Sequence, residues 1–261
     1  MQAEISCHRV RKVFGKGLTA FEAITAATFS VDKGEFVCLL GPSGCGKSTL
    51  LMMIAGLEAV TEGTILASGT HMTVPRAEIG IVFQDPTLLP WKTALQNVLF
   101  PIEMMGRSRS AYLARAMELL RLVHLVVAIH KRPRELSGGM RQRVSLCRAL
   151  IADPSVLLMD EPFSALDAIT RDDMNIVLLE LWERYRKTVL FVTHSIREAV
   201  LLADRVLVMG RSPSQIIADI KVPFARPRDF ALGETEQFNE LCSVLRREIE
   251  IARWGEAATR H

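Results

Sequence analysis

The chain has 261 residues and a formal net charge of +3, with 49% hydrophobic and 23% charged side chains. This length accommodates one large α/β domain or two small ones, and the apolar fraction supplies a sizeable core, which excludes a disordered or fibrous protein. The charge is too small to require a nucleic-acid partner, so we expect none.

The cysteines and the apolar segments indicate the compartment. Five cysteines show neither zinc-binding spacing nor a disulfide-scaffold pattern, so we expect free thiols in a reducing compartment. Residues 1–13 lack the apolar stretch of a secretion signal. The most apolar segment, 119–129, is shorter than the roughly 20 residues that cross a bilayer. We therefore expect a cytoplasmic protein without a transmembrane helix.

The first elements in chain order are predicted strands. Weak alternation over residues 5–10, 29–31 and 64–67 predicts antiparallel strands of a small β subdomain. Buried parallel strands are predicted where β-branched residues and leucine form short runs, at 36–40, 156–159, 189–192 and 206–209. The expected fold class is α/β, with a central, mostly parallel sheet.

Residues 41–49 read GPSGCGKST and lie between a predicted strand and an apolar helix predicted at 50–55. This spacing and context are those of a P-loop, whose backbone N–H groups surround phosphate oxygens. We expect Lys47 to reach the β and γ oxygens and Ser48 to bind Mg²⁺. The alternative is a glycine-rich turn with a merely exposed lysine. The predicted nucleotide-binding residues are Gly41, Pro42, Ser43, Gly44, Cys45, Gly46, Lys47, Ser48 and Thr49.

Residues 91–151 lack strand signals and repeat apolar residues at helical spacing, which predicts a helical subdomain. Within it, residues 136–140 read LSGGM, and Ser137 is predicted to cap the helix that follows. A Ser-Gly-Gly helix start also offers free N–H groups to an anion, so this is a candidate second phosphate site. A simple N-cap is the alternative.

Asp160 and Glu161 follow the predicted strand 156–159. Two acids in this position can place one carboxylate on Mg²⁺ and the other near an attacking water. We assign Asp160 to the metal and Glu161 to the general base. The pair could equally cap a helix, but the upstream P-loop favours the first interpretation.

The P-loop, LSGGM, LLMDEP at 157–162 and His194 after the strand 189–192 together resemble the ATPase subunit of an ABC transporter. The resemblance covers about residues 4–230, a nucleotide-binding domain with its helical subdomain at about 91–151, and leaves 231–261 as a C-terminal helical extension. It implies that each ATP lies between two subunits, bound by the P-loop of one and by Ser137, Gly138 and Gly139 of the other. A homodimer would then have two competent sites.

The resemblance assigns further roles by matching motif. Gln84, after the strand 79–83, resembles a glutamine that contacts Mg²⁺ or water and senses the membrane partner; an ordinary polar strand end is its alternative. His194 resembles a histidine that contacts the γ-phosphate, although a lone histidine beside a strand is more often a structural residue. Asp167, in SALD at 164–167, resembles a loop that crosses to the opposite subunit. Phe14 stands where an aromatic residue stacks on adenine.

Two further features resemble importers for nitrate, sulfonates and taurine: Met140 after LSGG, and PTLLPW at 86–91. Leu88, Leu89 and Trp91 would suit docking of the permease, with core packing as the alternative. The resemblance implies an ATPase bound to a membrane permease at the cytoplasmic face of the inner membrane, and indirectly dependent on a solute-binding protein.

Other functions of a P-loop protein remain as alternatives. Soluble ABC-type ATPases acting on DNA carry a long coiled coil between the positions of Gln84 and Ser137, whereas in this chain Ser137 follows Gln84 by only 53 positions (137 minus 84). Ribosome-associated members usually carry two such domains in tandem. A metabolite kinase would lack LSGGM and SALD.

Two local expectations concern side chains near helix starts. Ser195 and Glu198 have the spacing of a capping box. Cys45 lies near Lys47 and a helix N-terminus, so we expect a stabilised thiolate that reacts with maleimide unless ATP covers it.

Overall fold

The structure is a computed structural model that describes residues 3–254. Residues 255–261 of the predicted C-terminal extension lie outside the described residues. The strands are β1 (Ala3–Phe14), β2 (Phe21–Asp32), β3 (Phe36–Leu40), β4 (Glu62–Ala67), β5 (Thr70–His71), β6 (Ile79–Val82), β7 (Val156–Asp160), β8 (Thr188–Val192), β9 (Arg205–Met209) and β10 (Ile216–Lys221). The helices are α1 (Lys47–Ile54), α2 (Ala94–Met104), α3 (Arg109–Leu122), α4 (Gly138–Leu150), α5 (Ala168–Tyr185), α6 (Ile196–Leu202) and α7 (Glu236–Trp254).

The chain divides into two compact units. The first combines the residues up to Arg76 with those from Lys187 onward, and the second is Ala77–Arg186. The segment predicted to be helical, 91–151, lies in the second unit and contains α2, α3 and α4. The predicted domain boundaries, 4–230 and 231–261, remain predictions.

One sheet of the first unit is antiparallel, with strand order β2-β1-β4-β5. This confirms the predicted β subdomain. Strands β1 and β2 span 12 residues each and are longer than predicted. Register shifts interrupt their pairing. A bulge moves side chains to the opposite face, so it hides the two-residue period on which strand prediction depends.

The other strands of the first unit pair in the order β10-β9-β3-β8, with β3 parallel to both β8 and β9. Strand β10 is antiparallel to β9. Every residue of β3 and β8 is buried. Because parallel strands covered on both faces read as continuous apolar runs, the sequence predicted them almost to the residue.

In the second unit β6 and β7 form a parallel pair, with Val82 opposite Met159. A side-chain carbon added at Gly80 would lie 2.8 Å from the carbonyl oxygen of Ala149, so α4 packs directly against β6. Helix α2 begins with a capping box in which Thr93 and Gln96 each bind the other's backbone N–H. The predicted helical segment therefore packs on the strand pair through α4.

The remaining general predictions concern helices and cysteines. Among residues 3–254 no helix is both long and apolar enough to cross a membrane. All five cysteines are free thiols and buried. Burial raises the pKa of the thiols of Cys7, Cys38 and Cys147, which disfavours their thiolate forms.

Candidate nucleotide-binding site

Lys47 holds its charge inside the loop between β3 and α1. Its side chain is buried, and its ammonium donates to the carbonyl oxygens of Gly41 at 3.0 Å and Pro42 at 2.9 Å. The interpretation of Lys47 as a merely exposed lysine of a glycine-rich turn is therefore wrong. A positive charge and a loop of small residues meet at the start of a helix.

Two positions of this loop require glycine. Gly46 directly precedes α1 with φ of 100°, a conformation that other residues rarely adopt. It is the N-cap residue and has no side chain to occupy the first-turn N–H groups of α1. At Gly41 a side-chain carbon would lie 2.7 Å from the carbonyl oxygen of Met209. The helix start can therefore offer its N–H groups and its dipole to an anion.

Cys45 is packed inside the loop. The residue is 2% exposed, and its sulfur lies 4.0 Å from the Lys47 ammonium. A side-chain carbon on Gly41 would be 3.0 Å from its sulfur. This burial contradicts the expected maleimide reactivity, because the thiol packs within the loop. Any contact of Cys45 with a nucleotide would come from its backbone.

His194 lies at the same sheet edge as the P-loop. Strand β3 leads into the P-loop, and the parallel strand β8 leads through Thr193 to His194, with Val192 paired to Leu39. The carboxyl ends of adjacent parallel strands share an edge, where ligands bind in open α/β sheets. His194 is exposed there, so it is not a buried core histidine.

The capping box predicted at the start of α6 forms only in part. The hydroxyl of Ser195 accepts from the backbone N–H of Glu198 at 3.3 Å. The Glu198 carboxylate, however, accepts from the hydroxyl of Thr193 at 2.5 Å. The sequence motif therefore identified the right residues with the wrong partner for the glutamate.

Phe14 ends β1 and pairs with Phe21 of β2. Its side chain is 39% exposed, and the ammonium of Lys12 lies 4.7 Å from its ring centroid. The Phe14 ring is therefore accessible enough for stacking. Phe14, the P-loop and His194 all belong to the first unit.

The second unit holds the other predicted residues. Gln84 follows β6 and Asp160 ends the parallel strand β7, so both reach one edge of that pair. Glu161 has φ of 43°, in the left-handed region that side chains seldom adopt. Strain of this kind is concentrated at functional sites. The next helix, α5, begins at Ala168, so the interpretation of Asp160 and Glu161 as helix caps is wrong.

The LSGGM segment forms the N-terminus of α4. Ser137 is the N-cap, as predicted, and its hydroxyl accepts from the N–H of Met140 at 3.3 Å. A side-chain carbon at Gly139 would lie 2.5 Å from the methyl group of Thr170, so any larger residue would have to displace Thr170. A cavity of about 430 Å³ opens beside this helix start, and its lining includes Gln84, Gly138 and Leu166.

Asp167 serves as the N-cap of α5. Its carboxylate accepts from the N–H of Thr170 at 3.0 Å and from its hydroxyl at 2.7 Å. These hydrogen bonds lower the pKa of the Asp167 carboxyl. Its predicted place in a loop that crosses to a second subunit remains a prediction.

Three residues that the sequence did not single out hold the segments on either side of Gln84. Gln142 donates to the carbonyl oxygen of Phe83 at 3.0 Å. Arg148 donates to the carbonyl oxygens of Pro86 at 2.7 Å and Thr87 at 2.9 Å. The fully buried Asn97 makes four hydrogen bonds to Leu89, Lys92 and Thr93. The sequence signal that could have identified them is the presence of polar residues on the otherwise apolar faces of α2 and α4.

The side chains present are compatible with a nucleotide-bound metal ion. Within residues 3–254, no group of three His, Cys, Asp or Glu side chains could hold a metal by itself. In P-loop enzymes Mg²⁺ is held by a hydroxyl, a carboxylate and phosphate oxygens. Ser48 in the first turn of α1 supplies such a hydroxyl, and Asp160 at the end of β7 supplies such a carboxylate. Each of these side chains is of a type that a nucleotide-bound Mg²⁺ uses.

Comparison with known proteins identifies the family. The ABC transporter family profile matches residues 24–164. The taurine import ATP-binding protein of Burkholderia thailandensis is 46% identical over 233 residues, which are 89% of this chain and 89% of that protein. The nitrate import ATP-binding protein of Synechococcus elongatus is 44% identical over 223 residues, 84% of this chain and 81% of that protein.

Solved structures agree with the fold. A dimeric ATP-binding cassette in a post-hydrolysis state, bound to ADP and Pi, is 32% identical with a TM-score of 0.74 and covers 85% of this chain and 100% of its own. Since the family profile spans more than half of the chain and the taurine relative spans most of it, this chain belongs to the ABC transporter family as one of its ATP-binding proteins.

Proposed function

We propose that this chain is the ATP-hydrolysing subunit of an ABC importer, in which two copies close around two Mg-ATP and power a separate permease. The observation that carries the proposal is the P-loop, where buried Lys47 and the N-cap glycine of α1 face the edge that also holds His194. Relatives named for import of taurine and nitrate support import of a small solute such as nitrate, a sulfonate or taurine.

The nucleotide would be held mainly through its phosphates. Lys47 already lies among loop carbonyls, so it can turn to the β and γ oxygens without leaving the loop. The backbone of residues 41–49 and the dipole of α1 add further positive potential. Phe14 offers a partly exposed ring to the adenine base.

Hydrolysis would require a metal ion, a general base and a group that contacts the γ-phosphate. Ser48, Asp160 and Gln84 would hold Mg²⁺, which neutralises charge on the β and γ oxygens when bound. Glu161 would accept a proton from the attacking water, and its left-handed backbone directs its side chain differently from that of the preceding strand. His194 would contact the γ-phosphate.

The second half of each site would come from a second copy. Ser137, Gly138 and Gly139 begin α4 beside an open cavity, and Ser137 is exposed. Free N-terminal N–H groups of a helix favour a phosphate. The dimeric cassettes among the solved relatives support this arrangement. Asp167 would lie in the loop that contacts the partner.

The permease would dock near Gln84. Trp91 is 67% exposed, whereas Leu88 and Leu89 are only partly buried. An exposed tryptophan in a segment held by Asn97 and Arg148 suits an apolar partner helix. This docking would keep the chain at the cytoplasmic face of the inner membrane, with a solute-binding protein as an indirect partner.

The experiment that tests the proposal is purification of the tagged chain from native membranes, followed by an ATPase assay of wild type and Glu161→Gln. We expect a polytopic permease to co-purify. Glu161→Gln should bind ATP, lose about 10²- to 10⁴-fold in turnover and accumulate as an ATP-bound dimer in size-exclusion chromatography.

The matched control is Glu180→Gln, the same change at an exposed position of α5, which should leave turnover unchanged. Undiminished hydrolysis in Glu161→Gln would remove that residue from the role of base. Recovery of DNA or ribosomes instead of a permease would contradict the transport function and favour the soluble ATPase classes.

A further inference from the structure

Two side chains close in sequence to His194, those of Thr193 and Glu198, form a buried hydrogen bond. Thr193 is 2% exposed, and its hydroxyl donates to Oε2 of Glu198 at 2.5 Å. The same hydroxyl oxygen accepts from the backbone N–H of Ser195 at 3.0 Å. Glu198 is 6% exposed. Thr193 is thus bonded directly to the buried carboxylate of Glu198, and Ser195 is linked to that carboxylate through the hydroxyl of Thr193.

This hydrogen-bonded pair is anchored on both sides. The backbone N–H of Thr193 donates to the carbonyl oxygen of Leu39 at 3.3 Å, two residues before the P-loop begins. At the other end of α6, buried Arg228 donates to the carbonyl oxygens of Leu201 at 3.2 Å and Ala203 at 2.6 Å. Because α6 carries Glu198, the carboxylate has a defined position relative to β3.

We propose that Thr193 and Glu198 are positioning residues for His194, and that the hydrogen bond between them sets where the imidazole stands relative to the P-loop. The inference rests on the proposed function, in which His194 contacts the γ-phosphate. His194 itself is exposed, whereas Thr193 and Glu198 are buried and hydrogen-bonded to each other. This buried pair therefore constrains the backbone that carries His194.

The first test changes the hydroxyl. Thr193→Val keeps the branched shape and removes the donor, whereas Thr193→Ser keeps the donor. A misplacement of about 1 Å at a reacting group can cost about 10²-fold in rate, so Thr193→Val should lower kcat roughly 10- to 100-fold. KM for ATP should stay unchanged, because the lost interaction acts only in the transition state. Thr193→Ser should retain wild-type kcat.

The second test changes the acceptor. Glu198→Gln keeps an oxygen that can accept from Thr193, and Glu198→Leu removes it. We expect Glu198→Leu to match the kcat loss of Thr193→Val and Glu198→Gln to retain most of the activity. The double variant Thr193→Val/Glu198→Leu should be no slower than the slower single variant, because both changes break the same hydrogen bond.

The matched control is Thr188→Val at the other end of β8. Thr188 is 1% exposed, and its hydroxyl oxygen accepts from the N–H of Gly34 at 2.9 Å. It therefore loses a buried hydroxyl contact of the same kind, far along the strand from His194. We expect a drop in thermal stability similar to that of Thr193→Val, with kcat unchanged.

A His194→Ala background separates this inference from the proposed function. If Thr193 acts through His194, Thr193→Val should cause no further loss of kcat in that background. Unchanged hydrolysis in His194→Ala would overturn the assigned role of the histidine, and the inference with it. An impaired His194→Ala combined with normal Thr193→Val, or with an equal loss in Thr188→Val, would overturn the inference alone.

Discussion

Replacing Asn97 should destabilise the segment that follows Gln84. Asn97 is 0% exposed, its Oδ1 accepts from the N–H of Leu89 at 2.8 Å, and its Nδ2 donates to three carbonyl oxygens at 3.0 to 3.2 Å. A hydrogen bond contributes about 0.5–1.5 kcal/mol net, and a buried group left unpaired costs about 1–3 kcal/mol. Part of this loss is recovered by water, since the segment borders solvent.

For Asn97→Ala we therefore expect a loss of about 3 kcal/mol. In a chain of this size, 1 kcal/mol corresponds to about 2–4 °C, so Tm should fall by roughly 6–12 °C. Asn97→Asp keeps an acceptor for Leu89 but turns a carboxylate toward three carbonyl oxygens. It should be at least as destabilising, although the two side chains have nearly the same size.

The measurement is thermal unfolding followed by circular dichroism. Gln96→Ala, which removes half of the neighbouring capping box, is the control and should cost about 1 kcal/mol. If Asn97→Ala costs no more than Gln96→Ala, the four hydrogen bonds do not stabilise the segment. A wild-type Tm in Asn97→Asp would show that the three donated bonds contribute nothing, which refutes the reasoning.

Three other predictions concern the site. Ser137→Arg should leave ATP binding to the monomer unchanged and abolish hydrolysis, because in the proposed function the serine would act across the dimer; normal turnover would contradict the shared site. Arg148→Met should leave the unstimulated ATPase rate of the chain nearly intact and weaken its stimulation by the permease, because the carbonyl oxygens of Pro86 and Thr87 lose their donor; full stimulation would exclude this coupling. Maleimide should label Cys45 in urea but only slowly in the folded chain, whether or not Mg-ATP is present, as mass spectrometry can establish; rapid labelling of the folded chain would contradict the burial.

The parts of the fold that the sequence predicted well are those in which a pattern has one physical cause. Strands β3 and β8 are buried on both faces, so their apolar runs could be located almost to the residue. Strands β1 and β2 were predicted too short, because register shifts break their alternation. A bulge depends on the partner strand, which a single sequence does not display.

The candidate site shows the same division. Lys47 and Ser137 could be singled out from motifs. A glycine-rich loop before a helix and a serine at a helix N-cap both depend on local backbone geometry, which residue spacing shows. The partner of the Glu198 side chain was predicted wrongly, since the backbone N–H of Ser195 and the hydroxyl of Thr193 are both close enough in sequence to compete for the same carboxylate. The burial of Cys45 was also missed, because exposure depends on how the loop packs against residues distant in sequence.

The sequence alone therefore determined the chemistry that the chain can offer: a phosphate-binding loop, paired acids after a buried strand and a second helix start suited to an anion. Only the tertiary structure decided which side chains hold those groups in place. Arg148 and Asn97 form hydrogen bonds with the segment after Gln84. The hydrogen bond between Thr193 and Glu198 is the contact that we infer to position His194. The physical reason is that motifs follow local backbone geometry, whereas positioning contacts join residues that meet only after the chain has folded.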